Sequence, residues 1–278
     1  METQARFGPR IDAREEFAQD RAVLLALLHD LGPDEWERPT TAAPWLVRDV
    51  VAHLLGDDLG RLARTRDGHT GLAPEPGEPL APFLHRINDE WVHAARRLGP
   101  RLLLDVLETT SPQVLALWRG LDLDAIGEAV TWAGPDPAPV WLDCARDFTE
   151  YWVHQQQIRG ATGRAPVDGP RAVHTVLDTF LRAVPHTLSP HPRPAGTTLA
   201  VTVDGPAGGH WAWRCDGERW LWAPPAGGAD TLVAFPDPDP LWRLCTRMIE
   251  PDEARRRVSV SGDGPLGEAL LQIVSIIR

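Results

Sequence analysis

Glu150 and His154 stand four residues apart in the stretch EYWVHQQQIR, which otherwise reads as helix. At that spacing the carboxylate and the imidazole lie one above the other on a single helix face. Such pairs are common on wet helix surfaces, where they do no chemistry. His53 changes the reading. In WLVRDVVAHLLGDDL, Leu46, Val50, His53 and Leu54 fall at i, i+4, i+7 and i+8, so the imidazole belongs to the apolar stripe of a second helix. A buried histidine ordinarily has a hydrogen-bonding role, but here a carboxylate and another imidazole can project toward it. Two histidines and a glutamate form a three-ligand set for a divalent ion, with one position left open. Zn²⁺ suits that mixture, and Fe²⁺, Co²⁺ or Ni²⁺ would also accept it. Asp57, four residues after His53, reads either as an acceptor orienting that imidazole or as a solvent-exposed acid.

A rival row, His85, Asp89 and His93 in HRINDEWVH, recurs every four residues along one helix. Donors spread over about 12 Å at 1.5 Å per residue cannot all reach one ion, so this row reads as an exposed polar stripe. The three cysteines, Cys144, Cys215 and Cys245, are far apart, form no CxxC pair and read as small buried hydrophobes. No GxSxG elbow, phosphate-cradling GxxxxGK[ST] loop or HExxH motif is present. GDGPLG near Gly262 reads as a turn before the last helix.

The elements that must position the candidate donors are helical. Apolar residues at three-to-four spacing mark a helix over Ile11–Leu31, stopped by Gly32-Pro33. A second helix is expected near Trp45–Thr65. A third starts near Phe83, with a break at Gly99-Pro100 and resumption over Leu102–Leu107. Gly120–Pro139 reads as loop, and Val140–Arg159 as the fourth helix. Four such helices predict a bundle, whose facing side chains are a common place for metal sites.

Beyond RGATGRAPVDGP the texture changes. A helix over Ala172–Pro185 precedes the β-branched run TTLAVTV. HWAWRCDGERWLW alternates on both sides of Asp216-Gly217, which predicts a hairpin with a two-residue turn. That register pairs Cys215 with Glu218, Trp213 with Trp220 and Trp211 with Trp222. All four indoles then share a sheet face, as an apolar core or as walls of a ligand cleft. DTLVAF, a helix near Pro240–Met248, RVSVSG and a final helix Leu266–Ile277 complete an α+β part. The expected division is a helical domain over 1–165 and a smaller α+β domain over 166–278, meeting near Gly163–Gly169.

Composition bounds the function. The chain has 278 residues, 43% hydrophobic and 24% charged, without an apolar run approaching the roughly 20 residues of a membrane helix. The start lacks the apolar core of a secretory signal, which points to the cytoplasm. A net charge of −11 repels nucleic acid and anionic membranes, so small molecules are the expected partners. The oligomeric state is not legible.

PWLVRDVVAHLL and TEYWVHQQQIRGATGR together resemble the mycothiol-dependent maleylpyruvate isomerase group within the DinB/YfiT-like superfamily. The first is similar to the family's Trp-containing helix start running into its metal histidine, and the second to its Glu-x3-His helix. DPLWRLCTRM and VSVSGDGPLGEALLQIVSII resemble its second domain, so the likeness spans nearly the whole chain. It implies a DinB-like four-helix bundle followed by a smaller α+β domain with a Trp-rich antiparallel sheet. It also implies metal ligands at His53, Glu150 and His154, a zinc-type ion, and mycothiol as thiol co-substrate. In this family an arginine of the second domain is implicated, and Arg243 and Arg247 both lie in the corresponding region. Three readings follow: a metal- and thiol-dependent isomerase or S-transferase, a metal-dependent hydrolase, or a binding protein without catalysis.

Overall fold

The computed structural model describes residues 6–225 and 227–276. The chain forms two compact units whose segments alternate along the sequence. One comprises Arg14–Leu121 and Asp147–Val167; the other comprises residues up to Ala13, Asp122–Arg146 and the chain from Asp168 onward.

The first unit is helical. It contains α1 (Arg14–His29), α2 (Val47–Arg61), α3 (Leu80–Ala95), α4 (Pro100–Gly120) and α5 (Val140–Thr162) from Asp147 onward. The expected break at Gly99-Pro100 separates α3 from α4. Gly99 is extended, at φ −74° and ψ 159°, and Pro100 opens α4 at a first-turn position that needs no backbone N–H. The helix then runs past Leu107 to Gly120 with Pro112 inside it. The polar run Thr110-Ser111 does not end it, because both side chains are buried and partnered.

Those partners form a polar knot in the apolar interior. Asp58 on α2 and Arg21 on α1 are 0% and 1% exposed, with Arg21 Nη2 2.5 Å from Asp58 Oδ2. Thr110 and Tyr151 both donate to the Asp58 carboxylate, and Arg21 also donates to Ser111 Oγ at 2.7 Å. The guanidinium lies 4.3 Å from the centre of the Tyr151 ring. A single buried carboxylate thus joins α1, α2, α4 and α5. Phe17, Leu24, Val50, Leu54, Leu107, Val114 and Phe148 are among the buried apolar residues of this unit. Gly56 admits α3: a Cβ there would meet the Trp91 indole at 2.5 Å, and that indole donates to the Ala52 carbonyl at 2.7 Å.

The second unit carries a five-stranded sheet in the order β3-β2-β1-β4-β5, made by β1 (Thr198–Val203), β2 (Gly209–Cys215), β3 (Trp220–Ala223), β4 (Thr231–Phe235) and β5 (Ser259–Gly262). The fold is α+β as expected, but the sheet is mixed rather than antiparallel. After β3 the chain crosses to the far side of β1, and β4 runs parallel to it. Helices α6 (Pro170–Phe180), α7 (Val184–Thr187), α8 (Pro238–Cys245), α9 (Pro251–Arg257) and α10 (Gly264–Leu270) complete this unit. The expected last helix ends at Leu270, because Ser275 instead bonds outward: its N–H reaches the Cys245 carbonyl at 2.8 Å and its hydroxyl the Phe180 carbonyl at 2.8 Å. Ile277 lies outside the described residues.

The hairpin register differs from expectation by two residues. Trp213 pairs with Trp222 and Cys215 with Trp220. A type I′ turn needs positive φ at both central residues; Gly217 has φ 108°, but among the described non-glycine residues only Arg247 is positive. Asp216 instead accepts from the N–H groups of Glu218 and Arg219 at 3.0 and 2.7 Å, which builds a longer loop. A shift of two keeps each side chain on its face, so the four indoles still share one. Trp211, Trp213 and Trp220 are buried, and Trp213 meets Trp222 edge-on at 5.0 Å. All three cysteines are buried and none is in a disulfide among the described residues, and burial pushes the Cys245 thiol up to about 12.

Asp58→Ala leaves the Arg21 cation buried without its carboxylate. The expected loss is about 3–5 kcal/mol of unfolding free energy, measured by urea denaturation, and a loss under 1 kcal/mol would show that the knot contributes little.

Candidate metal centre

The cluster is built on two helix turns of the first unit. Asp49, in the first turn of α2, accepts the Leu46 N–H at 3.1 Å and is gripped by Arg96 through two contacts of 3.0 Å. This capped start orients the next turn, where His53 is buried as the apolar stripe requires. On α5, Tyr151 faces the buried knot, so its neighbour Glu150 and, one turn later, His154 line the adjoining stripe.

The three donors expected from spacing come together. His53 Nε2 lies 3.1 Å and His154 Nε2 3.0 Å from Glu150 Oε1, and the three ligand atoms all fall within 4.8 Å of one another. Donors on a tetrahedral ion with bonds near 2.0–2.1 Å stand about 3.3 Å apart, so the set fits a divalent ion with only small adjustments. The imidazoles meet edge-on at 4.8 Å, and the Trp45 ring lies 4.9 Å from His53 and 6.4 Å from His154. Trp45 is fixed through its carbonyl, which accepts from the Thr40 N–H and hydroxyl at 3.1 and 2.8 Å.

Electrostatics follow from this proximity. Burial opposes charge on His53, but Asp57 and Glu150 outweigh it and raise the imidazole to about 9. Burial would raise Glu150, yet hydrogen bonds and positive charge from both histidines hold it well below the usual carboxylate range. Asp57 is pushed up to about 6, chiefly by burial, with His53 opposing and Glu150 adding to the rise.

Asp57 does not sit behind the ring. Its Oδ2 lies 3.4 Å from His53 Nε2, the nitrogen that faces Glu150, while His53 Nδ1 is buried and has no partner among the described residues. An acceptor orienting the ring would have to meet Nδ1, so that reading of Asp57 is corrected: it is an acid on the donor side of the cluster. His85, Asp89 and His93 are all exposed on α3, as the spacing argument required.

Sequence reasoning missed the turn that follows His154. Its three glutamines are each committed. Gln155 donates to Asp20 Oδ1 at 2.6 Å, Gln156 clamps the Val167 backbone through both amide atoms at 2.6 and 3.0 Å, and Gln157 Oε1 lies 2.7 Å from His154 Nδ1. The legible signal was Gln157 at i+3 from His154, a spacing that puts the two on neighbouring positions of one face. Asp147, one turn before Tyr151, accepts from Arg61 at 3.1 Å and from the Trp118 indole at 2.9 Å.

The chain is α+β, and its helical unit gathers two histidines and a glutamate that could hold a metal ion. The sequence profile of the mycothiol maleylpyruvate isomerase N-terminal domain matches residues 17–159, about half of the chain. The chain therefore belongs to that family. Two solved structures share its fold. One, a histidine-to-alanine mutant of the mycothiol-dependent maleylpyruvate isomerase, aligns at TM-score 0.54 with 15% identity over 89% of this chain and 91% of that one. The other, the mycothiol-dependent maleylpyruvate isomerase, aligns at TM-score 0.50 with 16% identity over 83% and 86%. No curated protein sequence matches the chain significantly. Among the described residues, no helix is long and apolar enough to cross a membrane.

The α5 turn also carries a pH dependence. Burial pushes Asp20 up to about 7, against the charge of Arg21 and the Gln155 hydrogen bond. A carboxyl raised in the folded state binds more protons there than in the unfolded chain. Its contribution to stability is therefore greatest below about 4 and falls as pH rises to about 7. Asp20→Asn should flatten that fall between pH 4 and 7 in unfolding free energies; an unchanged slope would place the titration elsewhere.

Proposed function

We propose that this chain is a metal-dependent enzyme that uses a low-molecular-weight thiol, mycothiol, to isomerise or S-conjugate a small electrophilic substrate. The observation that carries the reading is the convergence of His53, Glu150 and His154 within one helical unit of a chain that belongs to the mycothiol maleylpyruvate isomerase N-terminal domain family. The structural relatives are named for mycothiol-dependent maleylpyruvate isomerase, which makes isomerisation the first reaction to assay. In this reading 1–165 is the DinB-like metal-binding part and 166–278 the α+β domain of the isomerase type, and the protein acts in the cytoplasm on small molecules.

His53 Nε2, Glu150 Oε1 and His154 Nε2 would hold the ion, with zinc favoured by the donor set. A divalent ion with an open position makes a bound thiol acidic near neutral pH, which supplies a thiolate without a protein cysteine. The buried, unreactive setting of Cys144, Cys215 and Cys245 agrees with that division of labour. The chain's own residues supply the rest. Glu150 brings one negative charge, so two neutral histidines and the carboxylate leave a divalent ion with a net charge of about +1. Trp45 covers the two imidazoles on one side and excludes water there. Asp57 places a second carboxylate at the donor side of His53, where it can hold a proton during the reaction.

That carboxylate also supports a second reading. An acid beside a site with an open position suits proton transfer from water, so a hydrolase on the same donors is the alternative.

Elemental analysis of purified protein should show about one divalent ion per chain, and His154→Ala should lose most of it, since two remaining ligands compete poorly with water. Glu150→Gln should keep the fold and lose ion affinity. Maleylpyruvate isomerisation or thiol conjugation should require added mycothiol. Turnover of esters or amides without thiol would favour the hydrolase, and a protein that takes up no ion would overturn both readings.

A further inference from the structure

We infer that Gln157 is a positioning residue that sets the tautomer of His154 and keeps the charge of the metal centre at its higher value. The inference rests on the reading of His53, Glu150 and His154 as ligands. Its own evidence is the 2.7 Å contact between Gln157 Oε1 and His154 Nδ1, made within a buried turn of α5.

A neutral imidazole has one N–H and one lone pair. His154 turns Nε2 toward Glu150 and His53 and Nδ1 toward Gln157. For Nε2 to offer its lone pair, the proton must reside on Nδ1, and that proton needs an acceptor because the ring is buried. The amide oxygen of Gln157 is that acceptor. With the amide reversed, its NH₂ would donate to Nδ1, the ring proton would move to Nε2, and the nitrogen facing the cluster could not bind an ion. The contact therefore selects the ligating tautomer.

The choice of side chain has a further consequence. A carboxylate behind a metal-bound histidine makes the ring more basic and lowers the charge at the ion. Gln157 accepts the same proton without adding charge, and His53 Nδ1 has no acceptor at all among the described residues. Among the described residues neither ring is backed by an anion at Nδ1, and Glu150 is the anionic member of the three-residue set. Asp57, although anionic, approaches the donor face and not the back of a ring.

The neighbouring glutamines separate this role from helix packing. Gln155 and Gln156 bond to Asp20 and Val167, away from the imidazoles, so they serve as internal controls for the loss of a buried amide.

The experiment measures zinc dissociation constants by chelator competition for the full-length wild type, Gln157→Leu, Gln157→Glu and Gln155→Leu. Ring ¹⁵N spectra of the zinc-loaded wild type are recorded alongside. Gln157→Leu should weaken zinc about 10–100-fold. Gln157→Glu should restore wild-type affinity or exceed it, since it keeps the acceptor and adds charge. Gln155→Leu should leave affinity within about threefold even if it lowers the unfolding midpoint. The spectra should show His154 protonated at Nδ1 and bound through Nε2. Should Gln157→Leu fail to fold, the Gln157→Glu affinity and the ring spectra decide the matter. Wild-type affinity in a folded Gln157→Leu, a Gln157→Glu that binds more weakly than wild type, or a zinc-bound Nδ1 would overturn the inference while leaving the centre intact. A wild type that takes up no zinc would instead overturn the metal centre itself.

Discussion

The helical unit depends on one buried carboxylate. Asp58 accepts from Arg21, Thr110 and Tyr151, and these come from three different helices that must meet the α2 turn carrying it. A charge pair removed from water is costly unless each charge is matched and hydrogen-bonded, so this arrangement tolerates few alternative packings. Apolar packing would let α1, α4 and α5 slide against α2 with little change in buried area. The knot restricts their register because its hydrogen bonds are lost once the helices slide far enough to carry donor and acceptor out of hydrogen-bond distance.

The cluster of His53, Glu150 and His154 inherits that register. His53 lies five residues before Asp58 on α2, and Glu150 is the immediate neighbour of Tyr151 on α5. Fixing Asp58 against Tyr151 therefore brings His53 opposite Glu150, and the helical repeat adds His154 one turn further along. The cluster can then be rich in mutually interacting polar groups without having to hold the fold together. Two imidazole nitrogens, His53 Nε2 and His154 Nε2, lie 3.1 and 3.0 Å from the same carboxylate oxygen, Glu150 Oε1.

The α+β unit solves a different problem. Its Trp-bearing strands put large aromatic area on one sheet face, and the loop at Asp216 is set by that side chain's bonds to the Glu218 and Arg219 amides. The loop length is therefore decided by local hydrogen bonding, and the facing of the indoles by alternation. The two kinds of information are independent, which is why the shared face was correct while the pairing was displaced by two.

What the sequence determined by itself were the features that depend on periodicity and residue type. The helices of the first half, the α+β character, the exposure of the His85–Asp89–His93 row and the convergence of His53, Glu150 and His154 were all legible from apolar spacing and the reach of side chains along a helix. The family likeness was legible in PWLVRDVVAHLL and TEYWVHQQQIRGATGR. Tertiary structure alone decided the rest. Thr110 and Ser111 are polar positions inside α4 whose partners, Asp58 and Arg21, are supplied by other helices only in the fold. Asp57 reads as a support for His53 because i+4 spacing says that the side chains meet, but not which ring nitrogen is met. Gln157 meets His154 only because that ring is turned with Nε2 toward the cluster, which leaves Nδ1 for the residue one turn on. Spacing fixes which residues are neighbours, whereas the atom that faces a neighbour depends on the rotation of each ring, and that is set by contacts from other helices.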